Sequence, residues 1–242
     1  MVKKYFIKAL KPAHGELESA CEKNDIVKVK NLLARGADID EKDVHNNTAL
    51  ILTSFWGRTE IVQLLIESGA ALDEQDARGD TALILASRQG YTDIVRMLTV
   101  AGGNLDKVNN GGNTALLRAS INGYTDIVRM LIEKGAALDT QNEDGNNALI
   151  VTGINGYTAI AQMLIDAGAN LDKKDNEGKT ALDRAQARKH PAVVTILKQA
   201  IKERAEKDEQ ERQRILTQVT DPALRRPLKF KPPIKFKGAG NG

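Results

Sequence analysis

The chain has 242 residues, 41% of them hydrophobic and 28% charged, with 35 Lys and Arg against 32 Asp and Glu. This composition fits a soluble globular chain. No stretch approaches the roughly 18 apolar residues that span a membrane, and the single cysteine, Cys21, cannot form an internal disulfide, so a membrane-spanning helix and an internal disulfide framework are both excluded.

Residues 1–15, MVKKYFIKALKPAHG, start basic as a secretion signal does. Lys8 and Lys11 interrupt the apolar run, however, and no small-residue cleavage site follows, so the segment reads as an N-terminal extension. Cys21 then falls on a helix of the first repeat, where a packed structural thiol is the expected role.

From here the chain repeats itself every 33 residues. RGDTALILASRQGYTDIVRMLTVAGGNLD from Arg78, GGNTALLRASINGYTDIVRMLIEKGAALD from Gly111 and DGNNALIVTGINGYTAIAQMLIDAGANLD from Asp144 align without gaps. The frame extends both ways: Thr48, Thr81, Thr114, Asn147 and Thr180 share one position, and Leu50, Leu83, Leu116, Leu149 and Leu182 another. Thr or Asn before an apolar run is a helix N-cap. A short helix such as Thr81–Arg88 follows, broken by Gly90 and its equivalents. A second helix such as Thr92–Val100 places Ile94, Val95, Met97 and Leu98 at i, i+3, i+4 spacing and ends near Gly102. Asn104–Gly112, rich in Asn, Asp and Gly, reads as an extended loop with a tight turn. Helices this short do not hold in water alone. Stacked pairs that bury one continuous core, an all-α solenoid, are the fold this pattern predicts.

These residues resemble the ankyrin repeat. Asn113-Thr114-Ala115-Leu116, Ala119, Gly123-Tyr124, Ile127-Val128, Leu131-Ile132 and Gly135-Ala136 carry the resemblance, which covers about residues 16–200 and recurs. Six repeats are counted, over 16–43, 44–76, 77–109, 110–142, 143–175 and 176–200. The terminal repeats depart from the pattern: the first lacks the Thr and Leu start, and the last has His190-Pro191 where the others have Gly-Tyr. Ala stands throughout in place of the family proline. Ile51, Ile84, Leu117 and Ile150 replace the family histidine that ties neighbouring loops, which puts the rigidity of those loops in doubt.

The resemblance implies a protein-binding scaffold or adaptor, not an enzyme, that uses loop tips and the exposed side of the first helices on a concave face. Carried over position by position, the candidate residues are Phe55, Trp56, Arg78, Asp80, Arg88, Gln89, Asn113, Ile121, Asn122, Ile154 and Asn155. Phe55 and Trp56 stand out, because aromatic side chains at solvent-facing positions anchor interfaces; the alternative is that they pack on Tyr5 and Phe6 of the N-terminal extension. Arg118 and Arg184, where neighbouring repeats have Leu or Val, read equally as interface arginines or structural ion pairs. No cofactor, small-molecule substrate or catalytic residue is expected. His14, His45 and His190 lie too far apart for one metal site, and Asp139 and Asp172 recur once per repeat as scaffold residues do. A monomer in the cytoplasm is the expectation, and the resemblance leaves room for a host-directed effector of an intracellular bacterium.

Residues 201–220 are dense in helix formers of mixed charge and read as a solvated helix. Residues 221–242 follow as a basic, proline-containing tail that is disordered when free. Its residues 225–242 hold Arg225, Arg226, Lys229, Lys231, Lys235 and Lys237 with no acid, so the remaining 29 basic residues face 32 acidic ones. Pro-Leu/Ile-Lys-Phe-Lys occurs twice in it. The tail reads either as an electrostatic tether for an anionic membrane, nucleic acid or acidic protein, or as an inert solubilising segment.

Overall fold

The computed structural model describes Ala13 and residues 15–220, with side chains as far as Thr217. Its helices begin where a side chain replaces a missing backbone acceptor. Thr48, Thr81, Thr114, Asn147 and Thr180 hold extended backbone, and each accepts the N–H three residues on, at Ile51, Ile84, Leu117, Ile150 and Asp183. These are the N-caps expected from the sequence, each worth about 1 kcal/mol.

Twelve helices run through the described residues: α1 (Glu16–Glu22), α2 (Ile26–Ala34), α3 (Ala49–Trp56), α4 (Thr59–Glu67), α5 (Ala82–Gln89), α6 (Thr92–Val100), α7 (Ala115–Asn122), α8 (Thr125–Glu133), α9 (Ala148–Asn155), α10 (Thr158–Asp166), α11 (Ala181–Ala187) and α12 (Pro191–Thr220). No strand occurs among them. Contacts divide the chain into two units, residues 1–200 and 201–242. In the second, the described part is helix from Ile201 onward, its surface carrying a Lys202–Glu206 ion pair at 3.7 Å and a Gln213–Glu209 hydrogen bond at 2.7 Å.

Each helix pair of the first unit buries its apolar stripe against the next pair. Leu50, Leu83, Leu116 and Leu149 form one buried row on the first helices. Ile61 and Leu65, Ile94 and Leu98, Ile127 and Leu131, and Ile160 and Leu164 form the matching rows on the second helices. Burial of a side chain this size contributes about 1.5–3 kcal/mol. Cys21 lies in the same core, where burial, with the Glu18 charge in support, pushes its thiol up to about 12; it is a structural, unreactive thiol.

The loops are tied although the family histidine is missing. Ile51, Ile84, Leu117 and Ile150 are buried in its place. The turn is held by an Asp or Asn once per repeat. Asp76 Oδ1 accepts the N–H groups of Arg78 and Asp80, both at 2.8 Å. Asp43, Asn109, Asn142 and Asp175 do the same for their own turns. Successive turns then join: the N–H of Ala77 donates to His45, Asn110 to Arg78, Glu143 to Gly111 and Asn176 to Asp144, at 2.8–3.1 Å. A second acid column bridges repeats as well, since Asp40, Asp73, Asp106 and Asp139 accept the N–H of Ala71, Asn104, Ala137 and Asn170. The loops are thus joined from repeat to repeat without that histidine.

The first helices of these repeats end on a glycine in the left-handed region, and the next repeat covers it. Gly90 has φ 84°, and a Cβ there would come 2.7 Å from the ring of Tyr124. The expected frame of the last repeat is corrected by one residue. Lys189, at φ 60°, takes the glycine's place, His190 takes the tyrosine's and lies over Gly156, and Pro191 opens α12, the helix position proline suits best.

Gly90→Ala therefore combines left-handed strain with displacement of the Tyr124 ring, whereas Gly135→Ala meets strain alone, because its Cβ would enter open space. Urea unfolding should show a loss of about 1–2 kcal/mol for Gly135→Ala and a distinctly larger one for Gly90→Ala; equal losses would show that the ring contact is unimportant.

Candidate functional site

Helices α3 and α5 stand side by side, and the turns preceding them lie at one end. Together they enclose a hollow of about 360 Å³ lined by His45, Asn47, Ile51, Leu52, Phe55, Trp56, Asp76, Ala77, Arg78, Asp80, Leu85 and Arg88. The wall is largely apolar. Phe55 is 37% exposed and Trp56 is half-buried. The guanidinium of Arg88 lies 5.7 Å from the Phe55 ring centre, within cation–π range. Its Nη1 is also 3.4 Å from Asp80 Oδ2. Arg88 is thus held from two sides, by an aromatic face and a carboxylate, while Arg78 is exposed at the turn.

Of the residues singled out from the sequence, Phe55, Trp56, Arg78, Asp80 and Arg88 come together here. Two of the expected loop-tip positions are corrected. Asp80 is only 2% exposed and Asn113 only 6%. Asp80 turns inward to accept the Asn109 amide at 2.6 Å. Asn113 donates to Gly111 O and Asn109 Oδ1 within its own turn. Both are scaffold residues, since a buried polar group must find its partner inside the protein.

Gln89, Ile121 and Ile154 are half-buried and lie outside the hollow. Asn122 and Asn155 are exposed but already engaged: Asn122 Nδ2 donates to Arg88 O and Arg118 O, and Asn155 Nδ2 to Ile121 O, closing the end of the preceding first helix. Sequence reasoning passed over Leu52 and Leu85. Their signal is present, because they share a repeat position with Arg118 and Arg184 and so face the same way. The tail cations Arg225, Arg226, Lys229, Lys231, Lys235 and Lys237, and Tyr5 and Phe6, lie outside the described residues.

The two arginines left open by the sequence differ. Arg184 Nε is 2.6 Å from Asp175 and its Nη2 is 3.1 Å from Glu177. Burial opposes the charge on Asp175, but Arg184 and the N–H groups of Lys179 and Glu177 outweigh it and hold the carboxyl below its usual range. Arg118 makes no such pair, and its buried Nε has no partner among the described residues. No group of three or more His, Cys, Asp or Glu that could hold a metal occurs among the described residues, and no described helix is long and apolar enough to cross a membrane.

A stack of helix pairs with stitched turns is a helical-repeat solenoid. The profile of the family described as ankyrin repeats (3 copies) matches residues 17–107, 72–142 and 135–210. The ankyrin repeat protein EF0377 is 33% identical over 78% of this chain and 98% of its own, with a TM-score of 0.74. An ankyrin repeat domain from Acinetobacter baumannii AYE is 32% identical over 78% and 98%, also at 0.74. The structure of the predatory endopeptidase Bd0816 from Bdellovibrio bacteriovorus in complex with the immunity protein Bd3460 contains a chain 29% identical over 78% and 99%, at 0.69. A comparison with curated proteins gives no match. The chain belongs to the ankyrin-repeat family. Repeats of this family generally mediate protein–protein interaction, and the fold is typically a non-enzymatic binding scaffold.

A carboxyl whose pKa falls on folding stabilises the protein above its unfolded value, near 4, and that stability is lost as pH drops through the folded value. Asp175→Asn should cost about 1–3 kcal/mol at neutral pH. The gap between variant and wild type should narrow below about pH 4; a gap independent of pH would remove the ionised carboxylate from the account.

Proposed function

We propose that this chain is an interaction scaffold that holds a partner protein on the face made by its loop tips and first helices, the face expected to be concave. The observation that carries the reading is the hollow between α3 and α5. It gathers Phe55 and Trp56, the residue types that anchor interfaces most strongly, with Arg78 and the doubly held Arg88. An anchored arginine loses less freedom on binding than a free one. Shape favours a side chain of the partner, since about 360 Å³ lies near the lower end of the volumes in which small ligands bind. One of the similar structures is itself a complex of two proteins, the endopeptidase with its immunity protein.

In this reading six repeats over residues 16–200 form the binding array, residues 201–220 are the charged C-terminal part of α12, and residues 221–242 are a tail. The chain works as a monomer in the cytoplasm, with its one thiol buried.

Capture from cell lysate with three versions of the protein tests this: full length, Phe55→Ala with Trp56→Ala, and a truncation after Val219. The double substitution should lose a partner that the truncation keeps, and the captured partner's Kd should rise about 30-fold or more, the equivalent of about 2 kcal/mol. A partner lost only with the tail would move recognition to residues 220–242.

A further inference from the structure

The first helices carry one column of residues at 33-residue spacing: Leu52, Leu85, Arg118, Val151 and Arg184. Leu52 and Leu85 line the hollow. The two arginines of the column meet opposite surroundings. Arg184 is neutralised by Asp175 and Glu177 in its own turn. At the matching places before Arg118 stand Asn109 and Gly111, so both carboxylates are gone. Asn109 uses its amide to reach Asp80 at 2.6 Å, a bond an aspartate there could not make. Arg118 is half-buried, makes no ion pair with any described residue, and keeps a buried Nε without an acceptor. That Nε has left water and gained no acceptor in exchange.

We propose that Arg118 receives a carboxylate of the bound partner, and that the partner is a protein segment bearing an aspartate or glutamate near an apolar side chain that fills the Phe55–Trp56 hollow. The proposal rests on the binding reading above and specifies the chemistry of the partner. Guanidinium and carboxylate form a paired, charge-assisted contact, and partial burial strengthens it. Neighbouring helices pack about 8–10 Å apart, so the hollow between α3 and α5 and Arg118 on α7 are roughly 10–15 Å apart. An extended segment covers that distance in about three to five residues. A polyanion is disfavoured, because Asp76 and Asp80 also line the hollow.

The probe is a phage-displayed library of random dodecapeptides selected on the purified full-length chain, followed by fluorescence polarisation of the selected peptides. Enriched peptides should carry Asp or Glu about three to five residues from Leu, Ile, Phe or Trp. Arg118→Gln should weaken them about tenfold or more, the scale of a charge-assisted hydrogen bond, and reselection on it should keep the apolar anchor and lose the acid. Gly111→Glu should act likewise with a cooperative melting transition retained, because it supplies Arg118 with the carboxylate that Glu177 gives Arg184. Gly111 is not in the left-handed region, and a Cβ there meets only the side-chain amide of Asn113 and, farther off, that of Asn109. Peptides without an acid preference, or with one that survives Arg118→Gln, overturn the role of Arg118 and leave the hollow as the binding site. Peptides that bind Phe55→Ala/Trp56→Ala as tightly as wild type overturn the binding reading itself, and a selection that yields no peptide overturns both.

Discussion

A helix of seven to nine residues, the length of α1 to α11, leaves about as many backbone groups unsatisfied at its ends as it pairs within itself. The devices of this chain answer that constraint. Threonine and asparagine caps take N–H groups at the start of the first helices. At the other end the next repeat helps: Asn122 reaches back to Arg88 O, Asn155 to Ile121 O, and His190 Nε2 lies 3.1 Å from Ile154 O. Completion of one repeat by its neighbour adds polar coupling to that of the shared apolar core, and it explains why the polar side chains of the turns point inward.

That inward turn marks the limit of what residue type alone reveals. The caps, the helix-ending glycines and the apolar rows were legible, because each rests on local chemistry repeated at one period. Asp80 and Asn113 were not: an Asp or Asn in a turn reads as solvated until the partner, Asn109 for Asp80, is brought beside it by a contact 29 residues away. The frame of the last repeat was hidden for a related reason. Lys189 adopts a backbone conformation that glycine normally supplies, and no composition rule announces a lysine in that role.

The candidate surface shows the same division. Phe55, Trp56 and Arg88 could be placed on one face by column, but the cation–π contact and the hollow depend on side-chain conformations that a sequence pattern does not determine. The contrast between Arg118 and Arg184 lies between the two cases. Both arginines are visible as departures from an aliphatic column, and the missing acids at Asn109 and Gly111 are visible once the geometry of Arg184 shows which positions matter. Identical positions in a repeat thus provide internal controls for one another.

Near-identity of the interfaces has one more consequence. Tyr124 covers Gly90 as Tyr157 covers Gly123, and Asn110 joins Arg78 as Asn176 joins Asp144. Excision of one 33-residue block would seat Tyr157 on Gly90 and present the surviving turns with the partners they already accept. Array length can therefore drift through unequal recombination without posing a new folding problem. The side chains that differ between repeats, Phe55, Arg88 and Arg118 among them, are what such an exchange would rearrange, so the recognition surface can be re-ordered while the scaffold beneath it stays the same.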